Sequence, residues 1–161
     1  MSVEILLNQR ELDLGLKVAI VRIGNATKEG YKHKYASEHL NPDQILSLNW
    51  QGVCAEIAAA KWLNVPNFEP TIDSFKDQPD IEPDWEVKHT SLDNGHLIIQ
   101  ANDRDSDRVV LVTGINPFTI RGWLPVKFCK DDLYLKTTSR NTAYWVPQSE
   151  LVKVLPNEPG A

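Results

Sequence analysis

Asn49 to Val65 reads NWQGVCAEIAAAKWLNV, with four alanines and a stop signal at Asn64 and Pro66. This stretch decides the fold. Alanine is the best helix former, and the spacing predicts a helix from about Trp50 to Leu63. At 100° per residue its apolar side chains fall nearly all round the axis, and only Glu56 and Lys61 are charged. A helix of that kind is buried on most sides. Glu56 then needs a partner, because a buried carboxylate without one costs several kcal/mol or takes up a proton. Lys61 lies five residues on, outside the i+3 and i+4 positions that pair on a helix surface, and Gly52 at i−4 leaves space beside the carboxylate.

Towards the N-terminus, Leu12, Leu16, Ala19, Ile20 and Ile23 recur at helical spacing, so Glu11 to Ile23 reads as an amphipathic helix. Between Lys17 and Lys34 the bases Lys17, Arg22, Lys28, Lys32 and Lys34 face a single acid, Glu29. Such a segment reads either as a solvated helical face or as a set of phosphate contacts. Tyr35 to Gln44, with Ser37, Asn41, Pro42 and Asp43, has loop chemistry.

After Pro66 the pattern changes to short strands: Trp85 to His89, His96 to Gln100, Val109 to Thr113 and Phe118 to Leu124, separated by loops rich in Asp, Asn, Gly and Pro. A last strand near Ala143 to Pro147 and a short helix over Gln148 to Val152 follow, and PNEPGA reads as a loose tail. Helices precede strands, which predicts an α+β domain whose N-terminal helices pack on a mixed or antiparallel β-sheet. With 161 residues, the chain, residues 1–161, is one domain.

Composition narrows the function. At 42% hydrophobic and 24% charged the chain is globular rather than disordered. No apolar run reaches the roughly 18–20 residues of a membrane span and no secretory signal opens the chain, so the cytoplasm is the expected location. The two cysteines, Cys54 and Cys129, form no CxxC pair and read as buried thiols. A net charge of −5 argues against coating nucleic acid by bulk electrostatics but leaves room for a local basic groove. No Walker loop, G-x-S-x-G, HExxH or dinucleotide-type glycine pattern occurs, which removes kinase, esterase, zinc-protease and Rossmann readings.

Chemistry concentrates in QPDIEPDWEVKH, Gln78 to His89. If Trp85 onward is a strand, Glu86 and Lys88 share one face and Val87 points to the other. If Glu82, Pro83 and Asp84 form a three-residue hairpin loop, Asp80 lies opposite Glu86, with the two carboxylates about 5 Å apart. At that separation they repel by about 3 kcal/mol at an effective dielectric near 20. Protonation, the neighbouring Lys88 or a divalent cation each relieves this, and a hard cation such as magnesium uses both carboxylates. Asp84 is a rival to Asp80 for the first carboxylate. Gln100 ends its strand on the face of His96 and Ile98, where it can meet water or phosphate beside Lys88 or be a plain edge residue.

In these pieces the chain resembles the PD-(D/E)XK nuclease superfamily: Pro79-Asp80, then Glu86-Val87-Lys88, with Glu56 on an upstream helix in a Gly-x-x-x-Glu pattern that starts at Gly52. More specifically it looks like a group of phage and bacterial proteins that continue with strands like HLIIQANDRDSDRVVLVTG and a Gly-Trp pair, here Gly122-Trp123. The likeness covers about residues 10–155. It implies a restriction-endonuclease-like core, magnesium (with manganese able to substitute) and hydrolysis of DNA phosphodiesters in a bacterial or phage-infected cell, by a homodimer or as part of a larger nucleic-acid-processing complex. By the same resemblance Asp80, Glu86 and the carbonyl of Val87 ligate the metal, Glu56 holds metal-bound water or the metal, and Lys88 orients or activates the attacking water. Arg22, Lys28, Lys32, Lys34, Gln100 and Arg104 are the expected DNA contacts. A second reading keeps the fold as a non-cutting DNA- or protein-binding module. A third makes the Glu86-Val87-Lys88 triplet accidental in a structural protein.

Asp103, Asp105 and Asp107 imitate the start of an EF-hand loop, but Arg108 stands where its glycine belongs, so they read as a solvated turn whose Arg104 and Arg108 can reach phosphate. Of the five tryptophans, Trp62 and Trp123 read as core, and Trp85 beside the hairpin tip is placed to stack on a base or pack over the site.

Overall fold

The computed structural model describes residues 2–28, 40–72 and 77–155. Two helices come first: α1, Gln9–Lys28, and α2, Pro42–Trp62. Both start with the same device. The Asn8 side chain accepts the Glu11 N–H while Glu11 accepts the Asn8 N–H, and Asn41 and Gln44 do the same at α2, where Pro42 takes the first helical position. Each box satisfies two donors that a helix start leaves open, and proline there gives up no needed N–H. That is why α2 begins eight residues before the expected Trp50, inside a stretch expected to be loop.

Among the described residues, seven strands form two sheets. The first has the order β1 (Val3–Ile5), β5 (Phe118–Pro125), β4 (Arg108–Thr113), β2 (Trp85–Thr90) and is mixed, since β2 runs parallel to β4 and the other pairs are antiparallel. The second is antiparallel, in the order β3 (Leu97–Ile99), β7 (Thr142–Val146), β6 (Leu135–Thr137). A four-residue helix, α3 (Val126–Cys129), follows β5, and a short 3-10 turn over Gln148–Glu150 stands where a closing helix was expected. The protein is therefore α+β, with two sheets in place of the single expected one; β1 and β6 carried too few residues to register as strands in the sequence.

The layers follow from the side-chain alternation of β4. Val110 and Val112 face the helices, in a cluster with Val18, Ala19, Val53, Cys54, Ala58 and Phe118. Val109 and Leu111 face the second sheet, packed with Leu97, Ile99, Val126, Cys129 and Val146. A strand buried on both faces reads as a continuous apolar run, as RVVLVT does. Helices, first sheet and second sheet thus make three layers with two cores. Both cysteines are buried, as expected. So are Trp62 and Trp123, and Trp85 lies between them in edge-to-face contact. Trp85 is therefore core and not a free stacking surface; its ring also carries the Arg108 guanidinium at 4.3 Å.

One glycine is required by its backbone. Gly122 has φ +140°, beside an irregularity where β5 carries one residue more than β4 between Leu111 and Val112. A Cβ there would meet the Val152 carbonyl at 2.6 Å and the Leu151 side chain at 2.7 Å. The next residue, Trp123, pairs with Val152 and donates its indole N–H to the Val154 carbonyl, which seats the C-terminal segment on β5.

Candidate active site

Ile81 and Trp85 exchange two backbone hydrogen bonds, of 3.0 and 2.9 Å, around Glu82, Pro83 and Asp84. This is the expected three-residue loop; the pairing is a single bridge, after which Asp80 meets β2 through its side chain. The carboxylate of Asp80 accepts the Val87 N–H at 2.8 Å. β2 is the outer strand of its sheet, and backbone groups alternate in direction along a strand. The Val87 carbonyl therefore points to the same open edge as its N–H, beside Asp80.

The register with β4 fixes the two faces of β2. Glu86 and Lys88 stand next to Val109 and Leu111 and share their face, on the side of the second sheet. Trp85 and Val87 stand next to Arg108 and Val110, and both pack into the helix-side core. His89 follows Val87 onto that side, with its Nε2 on the Gly114 carbonyl and its ring against Phe118.

On the Glu86 face the loop from Ala101 to Asp107 supplies counter-charges. Arg104 reaches Glu86 at 3.3 Å and Asp107 at 2.8 Å, and it also donates to the Asp77 carbonyl. The hydrogen bond to Asp107 pushes the Arg104 guanidinium further above its ordinary value, and Glu86 and Asp77 add to this. Lys88 pairs with Asp103 at 3.1 Å. The same carboxylate oxygen, Oδ2, also accepts the Gln100 N–H at 2.8 Å, so Gln100 and Lys88 are joined through Asp103. The side-chain oxygen of Gln100 in turn accepts from Asn141.

Glu56 finds its partner in Arg22. The guanidinium meets the carboxylate with two prongs, at 2.8 and 3.2 Å, and its Nε donates to the Thr71 carbonyl. Glu56 is 4% exposed, and α2 packs against the helix-side face of the first sheet. It therefore lies in the helix layer, whereas Glu86 and Lys88 are presented on the opposite face of the first sheet. Lys61 is engaged elsewhere, with Glu11 at 2.9 Å.

Asp80, Glu86, Val87 and Lys88 are thus gathered on one short edge segment, while Glu56 stands in the helix layer, paired with Arg22. Among the described residues no group of three or more His, Cys, Asp or Glu is placed to hold a metal ion. Two carboxylates and a backbone carbonyl still suit magnesium, which takes oxygen donors, keeps several waters and is commonly held by one or two carboxylates plus substrate phosphate. Asp84 is drawn to Arg108 at 3.0 Å, which leaves Asp80 as the carboxylate docked on β2.

Of the residues expected to meet DNA, Arg22 and Arg104 are engaged with protein carboxylates, Gln100 is bonded to Asp103 and Asn141, and Lys28 is exposed in the last turn of α1. Lys32 and Lys34 lie outside the described residues, as does the expected tail from residue 156 on. Sequence reasoning missed Asp103, the residue that joins Lys88 to Gln100; its only signal was its place in a loop read as solvated. No described helix is long and apolar enough to cross a membrane. Comparison of the chain with protein families, with curated proteins and with solved structures gives no match.

Proposed function

We propose that this protein is a metal-dependent deoxyribonuclease with a restriction-endonuclease-like core, acting in the cytoplasm of a bacterial or phage-infected cell. One observation carries the reading: Asp80 is hydrogen-bonded to the Val87 N–H at the open edge of the strand that presents Glu86 and Lys88 on one face. Asp80, Glu86 and the Val87 carbonyl would hold the magnesium or manganese ion, with Glu56 reaching its water shell from the helix layer. When bound, such an ion polarises a phosphoryl oxygen and lowers the pKa of a water ligand. Lys88 then serves as a positioned cation that offsets charge developing on the phosphate. Asp103 holds Lys88 in place, and Arg104 neutralises Glu86 until a cation takes over that task.

A second reading has its own support. The Glu56, Glu86 and Lys88 side chains each have an opposite charge from the protein, Arg22, Arg104 and Asp103. A chain that neutralises these groups internally is also what a non-cutting DNA- or protein-binding module would contain.

The deciding experiment is cleavage of supercoiled, linear and single-stranded DNA with magnesium, manganese or EDTA, comparing the wild type with Lys88→Ala, Glu86→Gln and Asp80→Asn. The last keeps an acceptor for the Val87 N–H while removing the charge. Metal-dependent cutting by the wild type alone supports the nuclease. Equal cutting by all four proteins refutes this site, and no cutting on any substrate favours the binding module.

A further inference from the structure

The face of the second sheet that turns away from the core has a composition unlike the rest of this acidic chain. Leu97, Ile99, Tyr144 and Val146 point inward to the core. Alternation along the strands places His96, Ile98 and Gln100 of the β3 segment, Trp145 of β7 and Lys136 of β6 on the opposite side. The pairing agrees, since Ile98 is directly across from Trp145 and Lys136 from Ala143. Trp145 is the centre of this face: the Lys136 ammonium sits over its ring at 4.1 Å and the His96 ring lies 5.9 Å away. His96 and Lys136 are exposed and Trp145 is half-buried. Leu135 to Pro147 contains Lys136 and Arg140 and no acid, although the chain as a whole carries −5.

We infer that this outer face of the β3–β7–β6 sheet binds single-stranded nucleic acid, with Trp145 as the stacking platform and Lys136, Arg140 and His96 beside the backbone. An aromatic ring on a sheet face, flanked by cations and polar side chains, is how single strands are held, because every base offers a ring face and every nucleotide a phosphate. A duplex keeps its bases stacked on one another and gains little from Trp145. A cation–ring contact at an exposed site is weak, so an arriving strand can exchange it for base on ring and phosphate on ammonium.

The track also has a direction. Along the β3 segment His96, Ile98 and Gln100 share this face, spanning about 13 Å at about 3.3 Å per residue, or roughly four nucleotides at the 3.4 Å spacing of a stacked strand. At its far end Gln100 meets Asp103, which holds Lys88. That a strand bound at Trp145 continues to Lys88 rests on the nuclease reading; that it binds at Trp145 does not.

The test is fluorescence anisotropy of a labelled oligothymidylate titrated with the full chain in EDTA, beside a duplex of equal length, followed by cleavage of the same strands with magnesium. Lys136→Glu and Trp145→Ala are expected to weaken single-strand binding at least about fivefold, the lower end of what loss of one stacking contact costs. Trp145→Phe is expected to retain binding, and the duplex to bind more weakly than the single strand. Lys136 is exposed, so its variant reports on binding even if Trp145→Ala perturbs folding. Wild-type affinity in Lys136→Glu and Trp145→Ala, or no single-strand binding by the wild type, overturns the inference. Binding through Trp145 without cleavage keeps the track and removes the nuclease; cleavage indifferent to both substitutions does the reverse.

Discussion

Arg22 and Glu56 form a two-pronged ion pair between α1 and α2, at 2.8 and 3.2 Å, with side chains only 15% and 6% exposed. The fork geometry of guanidinium and carboxylate is the strongest form of this contact. It joins the two helices to each other and, through Arg22 Nε, to the Thr71 carbonyl. Desolvating two charges costs about as much as their attraction returns, so the pair itself adds little net stability, whereas removing one partner leaves the other charge buried.

Arg22→Ala is therefore expected to destabilise the protein by about 3–5 kcal/mol, read from urea unfolding. Replacing both residues by apolar side chains of similar size, Arg22→Met with Glu56→Leu, is expected to recover most of that loss. A double variant as unstable as Arg22→Ala would show that Glu56 does more in the fold than answer Arg22.

This pair also marks what the sequence makes legible. The pattern around Glu56 called for a partner, and the helical periodicity from Leu12 to Ile23 located α1, but nothing local joins positions 34 residues apart; the match needs the packing of α1 on α2. The β2 hairpin was readable because its loop length, its alternation and its register are all local properties of twelve residues. The strands at β3 and β7 were legible too, but β6 and the grouping into a second sheet were not, because β6 has three exposed residues and the pairing of β3 with β7 is set by the shared core of Leu97, Ile99 and Val146. The early start of α2 was written in Asn41, Pro42 and Gln44, which also suit a loop and became a cap only where the apolar run could follow.

At Gly15 α1 leaves no room for a side chain against α2, since a Cβ would lie 2.6 Å from the Cys54 sulfur. Alanine in mid-helix gains up to about 1 kcal/mol over glycine, but overpacking of a buried contact costs about 1–3 kcal/mol. Gly15→Ala alone should be destabilising. In a Cys54→Ala background the sulfur is gone, and the same change should turn neutral or stabilising. Additive effects in the four-protein cycle would argue against this contact.

Gly122→Ala is expected to be among the most disruptive single changes, by roughly 2–5 kcal/mol, since it adds a strained positive φ to a collision with the Val152 backbone. Thermal unfolding followed by near-ultraviolet circular dichroism, which reports on Trp123, is the suitable measurement. A melting point within a degree or two of wild type would mean that the segment from Leu151 to Val154 is not held as described.

Burial pushes both thiols, Cys54 and Cys129, up to about 12. In the unfolded chain they titrate near 9. Below pH 9 both states keep the proton and these groups make no pH-dependent difference. Between pH 9 and about 12 the unfolded chain loses protons that the folded chain retains, so stability falls as pH rises through that window. The folded thiols therefore stay protonated at pH 8, and a disulfide reagent should label neither cysteine until the protein unfolds. Rapid labelling of the native protein would contradict their burial.

The proposed metal site can be probed through Arg104, the cation that would compete for Glu86. Arg104 lies 3.3 Å from Glu86, and as a guanidinium it stays charged at every working pH, so it opposes a cation at Asp80 and Glu86 under all conditions. Both side chains of the pair are partly exposed, and the contact is worth no more than about 1 kcal/mol. Arg104→Ala is then expected to tighten magnesium or manganese binding by about two- to fivefold in calorimetric titration, while Glu86→Gln abolishes it. Asp107 is the stronger partner of Arg104, so Asp107→Asn should free the guanidinium to hold Glu86 more closely and shift metal affinity the opposite way. Opposite shifts from Arg104→Ala and Asp107→Asn would be hard to produce from any site that does not include Glu86. Metal affinity indifferent to all three substitutions would place the ion elsewhere, and no binding by any of the proteins would favour the non-cutting module.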